Sequence, residues 1–122
     1  MQIRVCTLTM LITILLIGSA VATADVVLDW NAIAVDTSIA NLQNPFAQAR
    51  NAAIVQLAVF EAVNAVRKDY QPYLGIITAP PGASAEAAAI AAAHRVLVTY
   101  FPASASTLDR ARTNSLASLP DG

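Results

Sequence analysis

The sequence has little of the chemistry on which metal sites and disulfide frameworks depend. Its 122 residues include one cysteine, Cys6, and one histidine, His94. A single cysteine cannot form a disulfide within the chain, and a lone histidine cannot form a two-histidine metal site. We therefore expect a fold that is held together by packing of its apolar residues.

Glycine is also scarce, with four residues in the chain. A phosphate-binding loop needs converging backbone N–H groups, which the segment Pro80-Pro81-Gly82 lacks because proline has no N–H. No Gly-x-Ser-x-Gly motif of serine hydrolases and no glycine-rich dinucleotide motif is present. The sequence therefore predicts no catalytic, cofactor-binding or metal-binding residue.

The first 24 residues have the pattern of a secretory signal peptide. Arg4 precedes an apolar run over residues 5–17, and the small-residue pattern Ala22-Thr23-Ala24 follows. The run is too short for a membrane anchor, so we expect cleavage after Ala24 and a secreted or periplasmic protein with no membrane attachment. Without Arg4 the chain has six basic and eight acidic residues, a net charge of −2 that does not attract nucleic acid.

The longest helical pattern covers residues 44–68, NPFAQARNAAIVQLAVFEAVNAVRK. Asn44 followed by Pro45 is typical of an N-cap and first helical residue. Its large apolar side chains point to every side at about 100° per residue, which predicts a central helix that is buried all round. Cys6 would be removed with the signal peptide, so no thiol would remain in the predicted domain 25–122. The domain would be built around this helix.

Three further helices and one loop are predicted. Asp29 would cap a helix through Leu42, Ser84 would cap a helix over 85–101, and a capping box over 106–109 would open a last helix to Ser118. Residues 69–84 are rich in proline and glycine and predict a loop. The predicted apolar stripes are Leu28, Ala32, Val35, Ile39 and Leu42; Ile90, Ala93, Leu97 and Phe101; and Leu108, Ala111, Leu116 and Leu119. The fold class predicted is all-α, a partial bundle of about four helices around a buried central helix.

Several polar and aromatic residues have both a structural and a functional interpretation, and the structural one is preferred for each. Trp30 would cover a helix junction, and His94 would be structural or exposed. Tyr70 and Tyr73 would be clamped onto the bundle rather than stack on a ligand. A polar strip on the central helix consists of Arg50, Glu61, Asn64 and Lys68; it would be a solvated or hydrogen-bonded seam between helices, or alternatively the wall of a polar pocket in a larger protein. The arginines Arg95, Arg110 and Arg112 would form a solvated face, or alternatively an anion site.

The order of motifs along the chain resembles the N-terminal helical region of secreted vanadium-dependent haloperoxidase-like proteins, relatives of the type 2 phosphatidic acid phosphatase superfamily. Each motif is short and mostly aliphatic, but their order and spacing fit over nearly all of residues 25–122. The segments that carry the resemblance are VLDWN at 27–31, NP at 44–45, AR at 49–50, AVFEAVNAV at 58–66, YQPY at 70–73, SAEAA at 84–88, AAHRVL at 92–97, FP at 101–102 and LPDG at 119–122.

The resemblance implies an oxyanion site in a full-length relative, which binds vanadate or phosphate through Lys-x6-Arg-Pro, Pro-Ser-Gly-His and Ser-Arg…His segments. None of these segments is present here, and Lys68 is followed seven positions later by Gly75 instead of arginine. We therefore expect a truncated scaffold that is inactive by itself, that holds no cofactor, and whose partner is a missing C-terminal catalytic half. The choice between peroxidase and phosphatase would depend on that half.

Two other interpretations remain open. The chain would be a self-sufficient exported helical interaction module if its apolar faces meet a helical partner or a second copy of itself as a homo-oligomer. It would be a small exported structural protein if it folds cooperatively as a monomer without a partner.

Overall fold

Four α-helices make up most of the computed structural model, which describes residues 25–120. They are α1 (Val26–Ala40), α2 (Pro45–Arg67), α3 (Ala85–Tyr100) and α4 (Ala105–Ala117), and a short 3-10 helix, Pro102–Ser104, joins α3 to α4. No strand occurs between residues 25 and 120, so the predicted all-α class is confirmed for this part. The predicted signal peptide, 1–24, and the last two residues lie outside the described residues.

The starts of α2 and α3 follow from their caps, as predicted. Asn44 Oδ1 accepts a hydrogen bond of 3.0 Å from the backbone N–H of Ala47, and Pro45 occupies the first turn. Ser84 Oγ accepts one of 3.1 Å from the N–H of Ala87. Each cap satisfies an N–H group that has no partner within its helix.

The other two predicted starts are wrong. The N-cap of α1 is Asp25, whose Oδ1 accepts from the N–H groups of Val27 and Leu28, because Asp29 already lies in the first turn and bonds to the carbonyl of Asp25. The predicted capping box at 106–109 does not form. The 3-10 helix leads directly into α4, so Ser104 takes the N-cap position without a side-chain cap bond.

The predicted apolar stripe of α1 is on the wrong side of that helix. The buried side chains of α1 are Trp30, Ala34 and Ser38, whereas Leu28 is 66% exposed and Ile39 is 52% exposed. On a helical wheel the two sets lie at least about 80° apart, so they form different faces. Burial of the large Trp30 ring, which the stripe omitted, decides which face turns inward.

The helix that the other three surround is α3, and α2 is not the buried central helix that was predicted. Contacts link α3 to α1, α2, α4 and the 3-10 helix, and its predicted stripe is buried at Ile90, Ala93, Leu97 and Phe101. The alanines of α3 let neighbouring helices approach closely. In α2, Val55 and Val59 are buried, but Phe46 is 89% exposed.

Within residues 25–120, no helix combines the length and hydropathy that crossing a bilayer would require.

Candidate functional site

Two buried polar side chains of α2, Glu61 and Asn64, hold the loop that follows the helix. Glu61 Oε1 accepts hydrogen bonds from the N–H groups of Tyr73, at 2.6 Å, and Leu74, at 2.9 Å. One turn later, the Asn64 side chain accepts from the N–H of Tyr70 and donates to the carbonyl of the same residue. We call these four bonds the loop clamp.

The loop clamp arises because Glu61 and Asn64 are three positions apart and so share one face of α2. Glu61 is 4% exposed and Asn64 is 7% exposed; buried polar groups are stable only with hydrogen-bond partners, which the loop backbone supplies. The predicted hydrogen-bonded seam is therefore present at these two residues, but its partner is the loop instead of a second helix. Arg50 and Lys68, from the same predicted set, are exposed.

A second polar cluster joins α1, α3 and α4 around Trp30. The indole is 1% exposed, and its Nε1–H donates a hydrogen bond of 3.2 Å to Ser115 Oγ. The ring of His94 stands edge-on to it, with centroids 6.3 Å apart and planes at 85°. His94 Nε2 lies 2.7 Å from Asp109 Oδ1. The prediction that Trp30 covers a helix junction is confirmed, and His94 has the structural position that was preferred for it.

The His94–Asp109 pair resembles two members of a catalytic triad, but no third member completes it within residues 25–120. A nucleophilic site needs a reactive group beside the imidazole and donors for an oxyanion. Within residues 25–120 the hydrogen bond of the imidazole goes to the Asp109 carboxylate, and no Ser, Thr or Cys side chain bonds to the ring. The described part of the chain also contains no group of three or more His, Cys, Asp or Glu side chains placed to hold a metal ion.

A cleft of about 450 Å³ lies where the N-termini of α1 and α3 meet the second half of α2. Its apolar lining includes Val59, Val63 and Ala89, and its polar lining includes Arg67 and Glu86. The amide groups of Gln56 and Asn64 also line the cleft, but they already bond to Asn31 and to the loop. The cleft thus offers an apolar wall and exposed charges, without a buried polar group left to orient a ligand.

Hydrogen bonds perturb the acidity of Glu86, which lines the cleft. Its own backbone N–H and the Ser84 hydroxyl, 3.0 Å from Oε2, hold the pKa of the Glu86 carboxyl below its ordinary value of 4.5, and the positive charge of Arg67 acts in the same direction. A lowered pKa keeps the carboxylate ionised at neutral pH, which suits the N-terminus of α3 because helix N-termini favour negative charge. The shift therefore stabilises the start of the helix, and the carboxylate does not gain basicity for catalysis.

The remaining predicted residues have exposed side chains. Tyr70 and Tyr73 are 71% and 75% exposed. The prediction that these loop residues are clamped onto the bundle is confirmed, and the contact is made through their backbone N–H groups. The Tyr70 ring leans on Phe60 at a centroid distance of 6.2 Å. The arginines at 95, 110 and 112 are all exposed, as expected for a solvated face.

The sequence contains a signal for the loop clamp: two polar residues in an apolar helix shortly before a loop. Glu61 and Asn64 interrupt an otherwise apolar segment at a spacing of one turn, and a loop rich in turn residues begins soon afterwards. Such an arrangement predicts buried acceptors for loop N–H groups.

Comparisons of the chain with protein-family models, with curated proteins and with solved structures find no match.

Proposed function

We propose that this chain is the N-terminal helical scaffold of an exported haloperoxidase-like protein of the phosphatidic acid phosphatase superfamily, and that it is inactive by itself. In this proposal a full-length relative binds vanadate or phosphate through segments that lie after the scaffold. The scaffold contributes no catalytic group and holds the geometry of the helices instead.

The observation that carries the proposal is that the motif residues behind the resemblance are used to join one motif to another. Glu61 and Asn64, from the segment 58–66, bond to the backbone of the segment 70–73. Trp30, from the segment 27–31, packs edge-to-face on His94 of the segment 92–97. The polar groups of these side chains are bonded within the fold, so they fix the spacing of the helices and the loop. This is what we expect of a scaffold that contributes no catalytic group.

The first test is to sequence the DNA that follows the Gly122 codon, in all three forward frames. We expect it to encode Lys-x6-Arg-Pro, Pro-Ser-Gly-His and Ser-Arg…His segments in that order. A stop codon followed by unrelated sequence would contradict the proposal and favour the self-sufficient interaction module.

The second test is biochemical and uses the purified chain. We expect no stoichiometric binding of vanadate, no oxidation of bromide by peroxide and no hydrolysis of a phosphomonoester. Bromide turnover with bound vanadate would overturn the proposal, because it would require an oxyanion site within these residues.

A further inference from the structure

The outer face of α1 is apolar, and none of the helices described covers it. This face consists of Leu28, Ala32, Val35 and Ile39, at successive steps of four, three and four residues. Leu28 and Ile39 are 66% and 52% exposed, and Ala32 is also exposed. The opposite side of the same helix supplies Trp30 to the core, so α1 has a second apolar side beyond the one that the bundle uses.

Charge of a single sign borders this outer face. Asp25, Asp29 and Asp36 fall within about 40° of each other on a helical wheel, all on the same flank of the face. Each is exposed, and α1 contains no lysine or arginine. Between residues 25 and 120, the single contact between a basic and an acidic side chain within salt-bridge distance joins His94 to Asp109, so no basic side chain of this region pairs with the acidic flank.

We propose that the outer face of α1 docks an amphipathic helix of another polypeptide that has an aliphatic ridge and lysine or arginine along one flank. The ridge would cover Leu28 and Ile39, and the basic flank would meet the three carboxylates. This inference goes beyond the scaffold proposal and does not rest on it, because it uses only the face and the charges of α1.

A second copy of the chain fits this face poorly. In an antiparallel pair of α1 helices the same flanks meet, which would bring the carboxylates of one copy against those of the other. In a parallel pair the acidic flank would meet the opposite flank, where Asn31 stands and no basic residue occurs. Complementary charge therefore has to come from a different helix.

The test uses two fluorescent synthetic helices of about 15 residues, the length of α1. Both carry a leucine ridge; one has lysine along a flank, and the other has glutamate at the same positions. Binding to the chain, produced from its full-length sequence, is followed by fluorescence anisotropy. We expect the lysine peptide to bind about tenfold more tightly at low salt, and this preference to shrink as added salt screens the charges.

Matched variants assign the binding to α1. Asp29→Asn with Asp36→Asn should reduce the preference for the lysine peptide to about twofold, while Asp25 is kept because it caps the helix. Ile39→Ala should weaken both peptides by about fivefold through lost apolar contact. The controls are Asp69→Asn and Ile76→Ala, which make the same changes at exposed loop positions and should leave binding unchanged.

Three results would overturn the proposal. The first is equal binding of the two peptides, and the second is binding that the α1 variants do not alter. The third is a chain that sediments as a dimer which Ile39→Ala dissociates, since a second copy would then occupy the face. Because the substituted side chains are exposed, circular dichroism should show an unchanged helix content in every variant.

Discussion

The two sides of the bundle are held together by different physical means. Around Trp30, helices α1, α3 and α4 close over a core of apolar side chains, and Ile90 and Leu97 at its centre are fully buried. On the far side of α2, the loop at 69–84 has mostly exposed side chains, and four hydrogen bonds from Glu61 and Asn64 hold its backbone. Apolar burial is non-directional and shared by many residues, whereas the loop clamp depends on two side chains. Loss of the first should therefore unfold the bundle, and loss of the second should release only the loop.

The largest effect is expected for Trp30→Ala. Removing a buried indole from the junction should lower the free energy of unfolding by about 3–5 kcal/mol, a large part of the stability of a small domain. Urea unfolding followed by far-ultraviolet circular dichroism would measure it. Trp30→Phe is the control, because it keeps most of the apolar area and loses the hydrogen bond to Ser115, which costs about 1 kcal/mol. A loss below about 1 kcal/mol for Trp30→Ala would show that the junction does not hold the bundle.

A smaller and more local effect is expected for Glu61→Ala. The N–H groups of Tyr73 and Leu74 would lose their shared acceptor, at a cost of about 1–3 kcal/mol. Hydrogen exchange should accelerate at these two amides, while amides of α3 such as that of Leu97 stay protected. Glu61→Gln keeps an acceptor oxygen, so the amides of Tyr73 and Leu74 should exchange more slowly in this variant than in the alanine variant. Equal acceleration in α3 and in the loop would contradict the separation of the two sides.

The turn between α1 and α2 is held in a third way, by backbone bonds together with side-chain bonds of Asn41, Gln43 and Gln48, and it contains a strained residue. Leu42 and Gln43 donate to the carbonyls of Ile39 and Ser38, the pattern of a Schellman motif. Leu42 takes the left-handed position of that motif with φ of 55° and a side chain that is 92% exposed. Glycine or asparagine usually occupies this position, because a left-handed conformation costs other residues about 1–2 kcal/mol.

Leu42→Asn should therefore raise the free energy of unfolding by about 0.5–1 kcal/mol, measured by thermal or urea unfolding. Leu42→Ala is the matched control: it removes the exposed side chain but keeps Cβ, so it retains the strain and should give no gain. An equal gain in both variants would show that exposure of the leucine, and not its backbone, is unfavourable.

The sequence predicted where the helices lie along the chain better than it predicted which faces and segments contact each other. Caps with a local signature, Asn44-Pro45 and Ser84, mark the starts of α2 and α3 correctly, because capping depends on a few adjacent residues. The inward face of α1 was missed because two apolar faces compete, and the choice depends on where the indole of Trp30 finds a partner on α4. The loop clamp was only half predicted for the same reason: the buried polar strip is visible in the sequence, but its partner lies across the fold.

The smallest effect concerns Glu86, at the point where the loop ends and α3 begins. Its folded pKa lies below the ordinary value of 4.5, so the carboxylate stabilises the folded chain above that value, and the contribution is lost as the pH falls through the lowered folded pKa. Glu86→Gln lacks this titration. Because Glu86 is exposed and screened by solvent, the free energy of unfolding of the wild-type chain should exceed that of the variant by only about 0.3 kcal/mol near neutral pH, and this difference should shrink as the pH falls below 4.5. Paired unfolding curves over this pH range would measure it. A difference that grows on acidification would mean that the neutral carboxyl group is the form that stabilises α3, contrary to the direction of the pKa shift.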